Sequence, residues 1–313
     1  MKESIGYELL KVTQAAAIGC TGWIGKGDKH AADDAAVEKM REMFKHVDIE
    51  GTVVIGEGER DEAPMLYIGE KVGKGGEKVD IAVDPLEGTN NVAYNRPGAL
   101  AVLSVAPSGS LLHAPDTYMN KLAVGPDAKD AIDITASVAE NLDSIANALD
   151  KKVEELQVIM LDRDRHEQLK KEIRDAGAGV TLIHDGDVSA AIMPSMPGSG
   201  IDALMGIGAA PEGVLAATAL KCLGGGMQGV LKFRSDEEAE RGKKMGIKNP
   251  DKVRSINDLV KGKECTFIAT GVTSGDLLEG VQYTDDGTVT NSMIVDYKTK
   301  KVHFIESIFK EEF

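Results

Sequence analysis

The chain has few cysteines. Cys20, Cys222 and Cys265 lie far apart, and their odd number makes neither a disulfide framework nor a zinc knuckle. They read as small buried hydrophobes in a reducing compartment. Aromatic residues are also scarce, at 4 %, so the core must be built from Val, Ile, Leu, Ala and Met. No apolar run approaches the length of a membrane span. The first eight residues lack the apolar segment of a signal peptide. Both absences point to a cytoplasmic protein with no membrane partner. Positive charge is short: 36 basic residues face 51 acidic ones, a net charge of −15. Such a field repels phosphate backbones and argues against a nucleic-acid partner. A small anionic substrate stays open, provided cations and local basic residues reverse the sign at its site. No internal repeat or low-complexity tract is present.

At 313 residues the chain is long enough for two domains. Its texture changes from about Asp130, and Lys151-Lys152 opens a new segment, so the expected domains are 1–152 and 153–313. Amphipathic helices are expected over 3–21, with Ile5, Leu9, Val12, Ala16 and Ala17 on one stripe, and over about 29–45. A short helix is expected over 64–72. Apolar runs at 52–56, 79–84, 99–106, 157–161, 180–183, 201–207 and 266–272 read as strands. Residues 111–114 read as a hairpin partner of 99–106, and 289–296 with 301–306 as a final hairpin. The charged stretch 233–263 reads as a solvated helical excursion.

The most informative stretch is 79–89, Val-Asp-Ile-Ala-Val-Asp-Pro-Leu-Glu-Gly-Thr. A buried strand ends on Asp84, Pro85 turns the chain out, and Glu87 follows. Two carboxylates so placed repel unless a hard divalent cation sits between them. Gly88 and Thr89 suit a phosphate held against the backbone. The alternative is a polar turn with a helix cap at Thr89. Glu57 also follows a strand, inside the acidic run 56–62, and in open α/β sheets chemistry collects at the carboxyl ends of strands. A shared cation explains two such ends better than coincidence does.

Other segments carry weaker signals. Asp33 and Asp34 sit near a helix start, where they serve the helix dipole or a cation equally well. Tyr118 could reach a phosphate or pack as an ordinary buried tyrosine. Arg163 and Arg165 flank Asp164 just after a strand, as a fork for phosphate oxygens or as a charged helix start. Asp185-Gly186-Asp187 reads as a cation or sugar contact or as a simple turn. Small residues ahead of Pro211 and Glu212 mark a helix start that accepts anions, with Glu212 as a further carboxylate.

Together these motifs resemble the class II fructose-1,6-bisphosphatases of the glycerol-operon phosphatase type. The resemblance is carried by Gly25-Lys26-Gly27-Asp28-Lys29 with Ala32-Asp33, by Val54-Ile55-Gly56-Glu57-Gly58-Glu59, by 61–70 and by 79–89. It continues through Ala114-Pro115-Asp116 with Tyr118-Met119, Asp185-Gly186-Asp187, Pro211-Glu212-Gly213 and 275–280. It implies an α/β fold of the inositol-monophosphatase/fructose-bisphosphatase kind, a layered α-β-α-β-α sandwich of two α/β domains. It implies Asp33, Glu57, Asp84, Glu87 and Glu212 as ligands of two or three Mg²⁺ or Mn²⁺ ions. Glu87, Gly88, Thr89, Tyr118, Arg163, Asp164, Arg165, Asp185, Gly186 and Asp187 are implied as substrate contacts. Ala209 stands where the family has a substrate-binding glycine. Thr89 would orient the attacking water, with Glu57 at the catalytic centre and Asp61 as a partner of both.

The implied reaction is metal-dependent removal of the 1-phosphate of fructose 1,6-bisphosphate, as in gluconeogenesis, by a homo-oligomer, a dimer or tetramer. Three alternatives stand beside it: a dual enzyme that also cleaves sedoheptulose 1,7-bisphosphate, an inositol monophosphatase, and a non-catalytic sugar-phosphate sensor.

Overall fold

The computed structural model describes residues 1–2, 4–58 and 65–310. In chain order, helices α1 (Ile5–Cys20) and α2 (Lys29–Phe44) precede strands β1 (Ile49–Ile55), β2 (Lys71–Val72) and β3 (Glu77–Glu87). Helix α3 (Thr89–Ala93) and strand β4 (Leu100–Pro107) follow. Next come β5 (Tyr118–Val124), α4 (Val138–Ala148), β6 (Gln157–Leu161), α5 (Glu167–Asp175), β7 (Gly179–Ile183) and α6 (Asp187–Ile192). After these are β8 (Ala203–Ala209), α7 (Ala210–Leu223), β9 (Gly226–Lys232), α8 (Asp236–Lys244), β10 (Arg254–Ser255) and α9 (Ile256–Leu259). The chain ends with β11 (Thr266–Gly271), β12 (Gln282–Thr284), β13 (Gly287–Asp296) and β14 (Lys301–Phe309).

Two compact units result, one of residues 1–112 with 262–313 and one of residues 113–261. The division therefore does not fall at 152. The cause is strand pairing: β11 lies antiparallel on β4, with Thr266 opposite Val105 and Gly271 opposite Leu100. The last fifty residues return to complete the first sheet, a long-range pairing that no local change in composition announces.

The first unit holds a sheet ordered β12-β13-β11-β4-β3-β1-β2, with β14 on β13. β1 and β3 are parallel, whereas β3, β4, β11 and β13 pair antiparallel in turn. Helix α1 packs on β11, β13 and β4, and α2 packs on β3. The α1 stripe is the one the periodicity predicts, with Ile5, Leu9, Val12, Ala16 and Ala17 buried; of the apolar residues 37, 40, 43 and 44 on α2, Val37, Met40 and Phe44 are buried and Met43 is half-buried. Because β4 has β3 on one side and β11 on the other, no place remains for a hairpin partner at 111–114. Leu111 N–H instead donates to the buried Asp80 carboxylate at 3.1 Å. The described part of 64–72 is not helical; it leads into β2.

The second unit holds a sheet ordered β10-β9-β5-β8-β6-β7, in which β5 is central. Leu142 and Ile145 of α4 share one core with Leu122, Val124, Val158 and Met160. The charged stretch 233–263 is not simply solvated. Glu238 and Arg254 are buried, Glu238 accepting from Thr117 Oγ1 at 2.7 Å and Arg254 donating to the carbonyls of Asn249, Pro250 and Lys252. No helix among the described residues is long and apolar enough to cross a membrane.

Phe267, on β11, is fully buried. Phe267→Ala is expected to lower the unfolding free energy by about 3–5 kcal/mol, read from the urea midpoint. A loss below about 1 kcal/mol would show that β11 is not integral to the first unit's core.

Candidate active site

In the first unit the parallel pairing of β1 and β3 sets the geometry. Ile55 is in register with Ala82. Glu57 follows two residues after Ile55, past the end of β1, and Asp84 two residues after Ala82, still within β3. Gly56 is required between Ile55 and Glu57, because a Cβ there would lie 2.0 Å from the Leu66 carbonyl oxygen. The Glu57 N–H donates to that same oxygen at 3.1 Å, which fixes where the side chain begins.

Pro85 does not turn the chain out of the sheet. β3 runs on to Glu87, and its register against β4 slips between Asp84, opposite Val102, and Glu87, opposite Leu100. One extra residue is thus accommodated as a bulge, where a proline lacking its N–H is tolerated. Asp84 Oδ1 accepts from Leu86 N–H at 3.2 Å and steadies the bulge. Gly88 follows in the left-handed region, with φ 89° and ψ 47°, and occupies the N-cap of α3. Thr89 is therefore the first helical residue and not the cap. The loop bearing Lys26 is tied to α3 by Gly25 N–H to Val92 O at 2.9 Å and Gly27 N–H to Ala93 O at 2.8 Å.

Asp33 comes from the start of α2, whose N-cap Asp28 accepts from Ala31 N–H at 3.0 Å. Asp33 and Glu57 meet and share a hydrogen bond. Burial, with the charges of Asp33 and Asp34, pushes Glu57 up to about 8. Burial and Asp34 push Asp33 up to about 6, while the bond from Glu57 holds it lower than Glu57. Glu57 is thus the protonated donor and Asp33 the acceptor. A proton shared between two such groups stands where a cation satisfies both. Among the described residues no three acidic, imidazole or thiol groups converge into one ligating cluster. Asp61 lies outside the described residues.

The second unit gathers the basic candidates. Arg165 donates from Nε and Nη2 to the Ile207 carbonyl, at 3.0 and 2.6 Å, and its Cζ stands 4.7 Å from the Tyr118 ring centroid. Arg234 stands 4.8 Å from the same ring and is ion-paired to Glu238. Two guanidinium groups therefore lie close to one tyrosine ring. Arg163 bonds its neighbour's carbonyl, Asp162 O, at 2.9 Å and stands 3.8 Å from Asp185. Asp164 is exposed and opens a short turn. Its neighbour His166 is buried between Leu161 O and Ile207 N–H, so Nδ1 carries the proton, and burial lowers its pKa.

Gly186, in the left-handed region, leads into Asp187 at the start of α6. Asp187 is buried in an ion pair with Lys121. Ala209 caps α7 with φ −69° and ψ 143°, an extended conformation open to any residue, so its backbone does not call for glycine. Glu212 follows in the first turn of α7, 4.0 Å from the Lys121 ammonium.

The family of bacterial fructose-1,6-bisphosphatases described as glpX-encoded matches residues 3–309. The chain belongs to this family. Hydrolysis of a fructose bisphosphate is accordingly its activity. A Trichodesmium erythraeum protein named D-fructose 1,6-bisphosphatase class 2/sedoheptulose 1,7-bisphosphatase is 46% identical, over 98% of this chain and 96% of its own. A protein of the same name from Crocosphaera subtropica is also 46% identical, over 100% of this chain and 98% of its own. Among solved structures, an inositol monophosphatase from Anabaena aligns over 56% of this chain and 65% of its own. Its 13% identity and TM-score of 0.29 are too slight to argue from.

In this member of the family, sequence reasoning missed Lys121, Arg234 and Glu238. Lys121 had a visible signal. In β5 it lies on the same face as Met119 and Ala123, both buried, so a lysine occupies a core-facing position. Arg234 and Glu238 had none, because their stretch reads as uniformly charged.

The Asp33–Glu57 pair gives a pH test. The folded pKa of Glu57 lies above its ordinary 4.5, so between 4.5 and about 8 the native state holds a proton that the unfolded chain has lost. Its contribution to stability is complete below 4.5 and is lost as pH rises through about 8. Glu57→Gln removes it. With chelator present, unfolding free energy is expected to fall more from about pH 5 to about pH 8 in wild type than in the variant. Equal slopes would contradict the pairing.

Proposed function

We propose that the chain removes the 1-phosphate of fructose 1,6-bisphosphate with the help of bound Mg²⁺ or Mn²⁺. The observation that carries the reading is the buried Asp33–Glu57 carboxyl pair, with Asp84 and Glu87 further along the strand β3 that pairs in parallel with β1. Such a hard oxygen donor set fits these ions. Asp33, Glu57, Asp84 and Glu87 would hold them, with Glu212 as a further ligand. When bound, the ions supply positive charge for the phosphoryl oxygens and acidify water.

The protein's own residues do the rest. Thr89, fixed at the first position of α3 by the left-handed Gly88, orients the attacking water through its hydroxyl. Water oxygen bonds to phosphorus as the bond from phosphorus to the C1 oxygen breaks, and a proton reaches the departing alkoxide. Asp61 is assigned to assist Glu57 and the water. Positioning and charge supply most of the acceleration, as in other phosphoryl transfers. Arg163, Arg165 and Tyr118 grip the phosphate that does not react, and Gly88 offers its backbone. Asp185 and Asp187, with Gly186 between them, serve the sugar hydroxyls, and Asp164 and the Ala209 backbone complete the contacts. We place the enzyme in the cytoplasm as a homo-oligomer, a dimer or tetramer.

A second reading, that sedoheptulose 1,7-bisphosphate is cleaved as well, is favoured by the names of the relatives. Phosphate release measured with each bisphosphate across Mg²⁺ and Mn²⁺ tests both. Release from fructose 1,6-bisphosphate with either ion is expected, and binding without release would make the protein a sensor. Release from the seven-carbon bisphosphate within about tenfold in kcat/KM would establish the dual activity.

Thr89→Ala is expected to lower kcat by about a hundredfold with little change in KM. A change in KM alone would make Thr89 a binding residue. Arg165→Ala should do the reverse, raising KM by about tenfold or more. An unchanged KM would remove Arg165 from substrate binding.

A further inference from the structure

Lys121 is 2% exposed, and Met119, two residues before it on the same face of β5, is fully buried. It lies beneath the first turn of α7. A Cβ added at Gly213 would meet Met119 Sδ at 2.8 Å and Lys121 Cδ at 3.5 Å. An ammonium there faces the positive end of the α7 dipole, an unfavourable place for it. Two segments hold it nonetheless, the start of α6 and the turn that opens α7. Asp187, at the start of α6, makes the ion pair. The Ala209 carbonyl accepts at 2.8 Å, and Glu212 Oε2 stands at 4.0 Å. The chain also keeps space for the pair. A Cβ at Gly208 would fall 1.8 Å from Asp187 Oδ2 and 2.9 Å from Lys121 Nζ.

A buried ion pair is a weak source of stability, and well-packed apolar residues commonly replace one without loss. What Lys121 does that an apolar residue cannot is fix the turn carrying Glu212. Ala209 gives α7 no side-chain cap, and the ammonium donating to its carbonyl ties down the residue that leads into the helix. Glu212 itself keeps 31% of its side chain accessible. We propose that Lys121, locked by Asp187, is a positioning residue that holds the Ala209–Glu212 turn and orients the Glu212 carboxylate toward a divalent cation. This rests on the proposed role of Glu212 as a ligand.

The test is calorimetric titration of Mn²⁺ into the metal-free full-length protein, paired with kcat and KM. Lys121→Met and Glu212→Gln are each expected to weaken Mn²⁺ binding by about tenfold, with kcat falling and KM for the bisphosphate nearly unchanged. The double variant should bind no more weakly than Glu212→Gln alone, because Lys121 acts through Glu212. Lys121→Met with Asp187→Asn leaves no uncompensated buried charge and guards against simple misfolding; once its cooperative melt is confirmed, it should still bind Mn²⁺ weakly. Wild-type Mn²⁺ binding by that folded variant overturns the proposal. So does a Lys121→Met loss of equal size with and without Glu212→Gln. If Glu212→Gln alone binds Mn²⁺ like wild type, the ligand role of Glu212 fails and the positioning role falls with it. If Glu212→Gln is defective and Lys121→Met is not, only the positioning role falls.

Discussion

The first unit is built around two buried carboxyl groups that share one proton. Asp33 and Glu57 are brought together by α2 packing on β3 and by the parallel register of β1 on β3. Neither can ionise freely beside the other, and burial raises both. A protein selected only for stability would place an amide or an apolar residue at one of the two positions. Keeping both carboxyls makes sense when a doubly charged ion replaces the shared proton.

The second unit solves the opposite problem. Here positive groups are brought close together, and each is held by its own partner. Arg234 is neutralised by Glu238, and Lys121 by Asp187. Arg165 is instead held by a backbone carbonyl, which aims the guanidinium and leaves its charge in place. Tyr118, set beside β8 and β9 by its place at the start of central β5, gives both arginines a face to stack on. A chain with net charge −15 can thus present a local cationic surface suited to a sugar phosphate.

Much of this was legible in the sequence because it is local. The helical stripes of α1 and α2, the strand that carries Asp84 and the glycine ahead of Thr89 each follow from spacing over a few residues. What was not legible depends on partners far along the chain. The return of β11 to β4 moves the domain division away from 152. The same pairing, with β3 on the other side, denies 111–114 a strand partner. The Asp-Pro step reads as a turn from its own residues, whereas pairing on β4 absorbs it as a bulge. Thr89 reads as a cap until the left-handed Gly88 takes that position. Glu238 looks like one more solvated charge until Thr117 and Arg234 close over it.

The central claim is that these carboxylates work by holding divalent cations. It is tested most directly by phosphate release from fructose 1,6-bisphosphate after exhaustive chelation, with Mn²⁺ or Mg²⁺ then titrated back. The account predicts that release stops with chelation and returns with either ion in wild type but not in Asp84→Ala. Undiminished release by the chelated enzyme would contradict it.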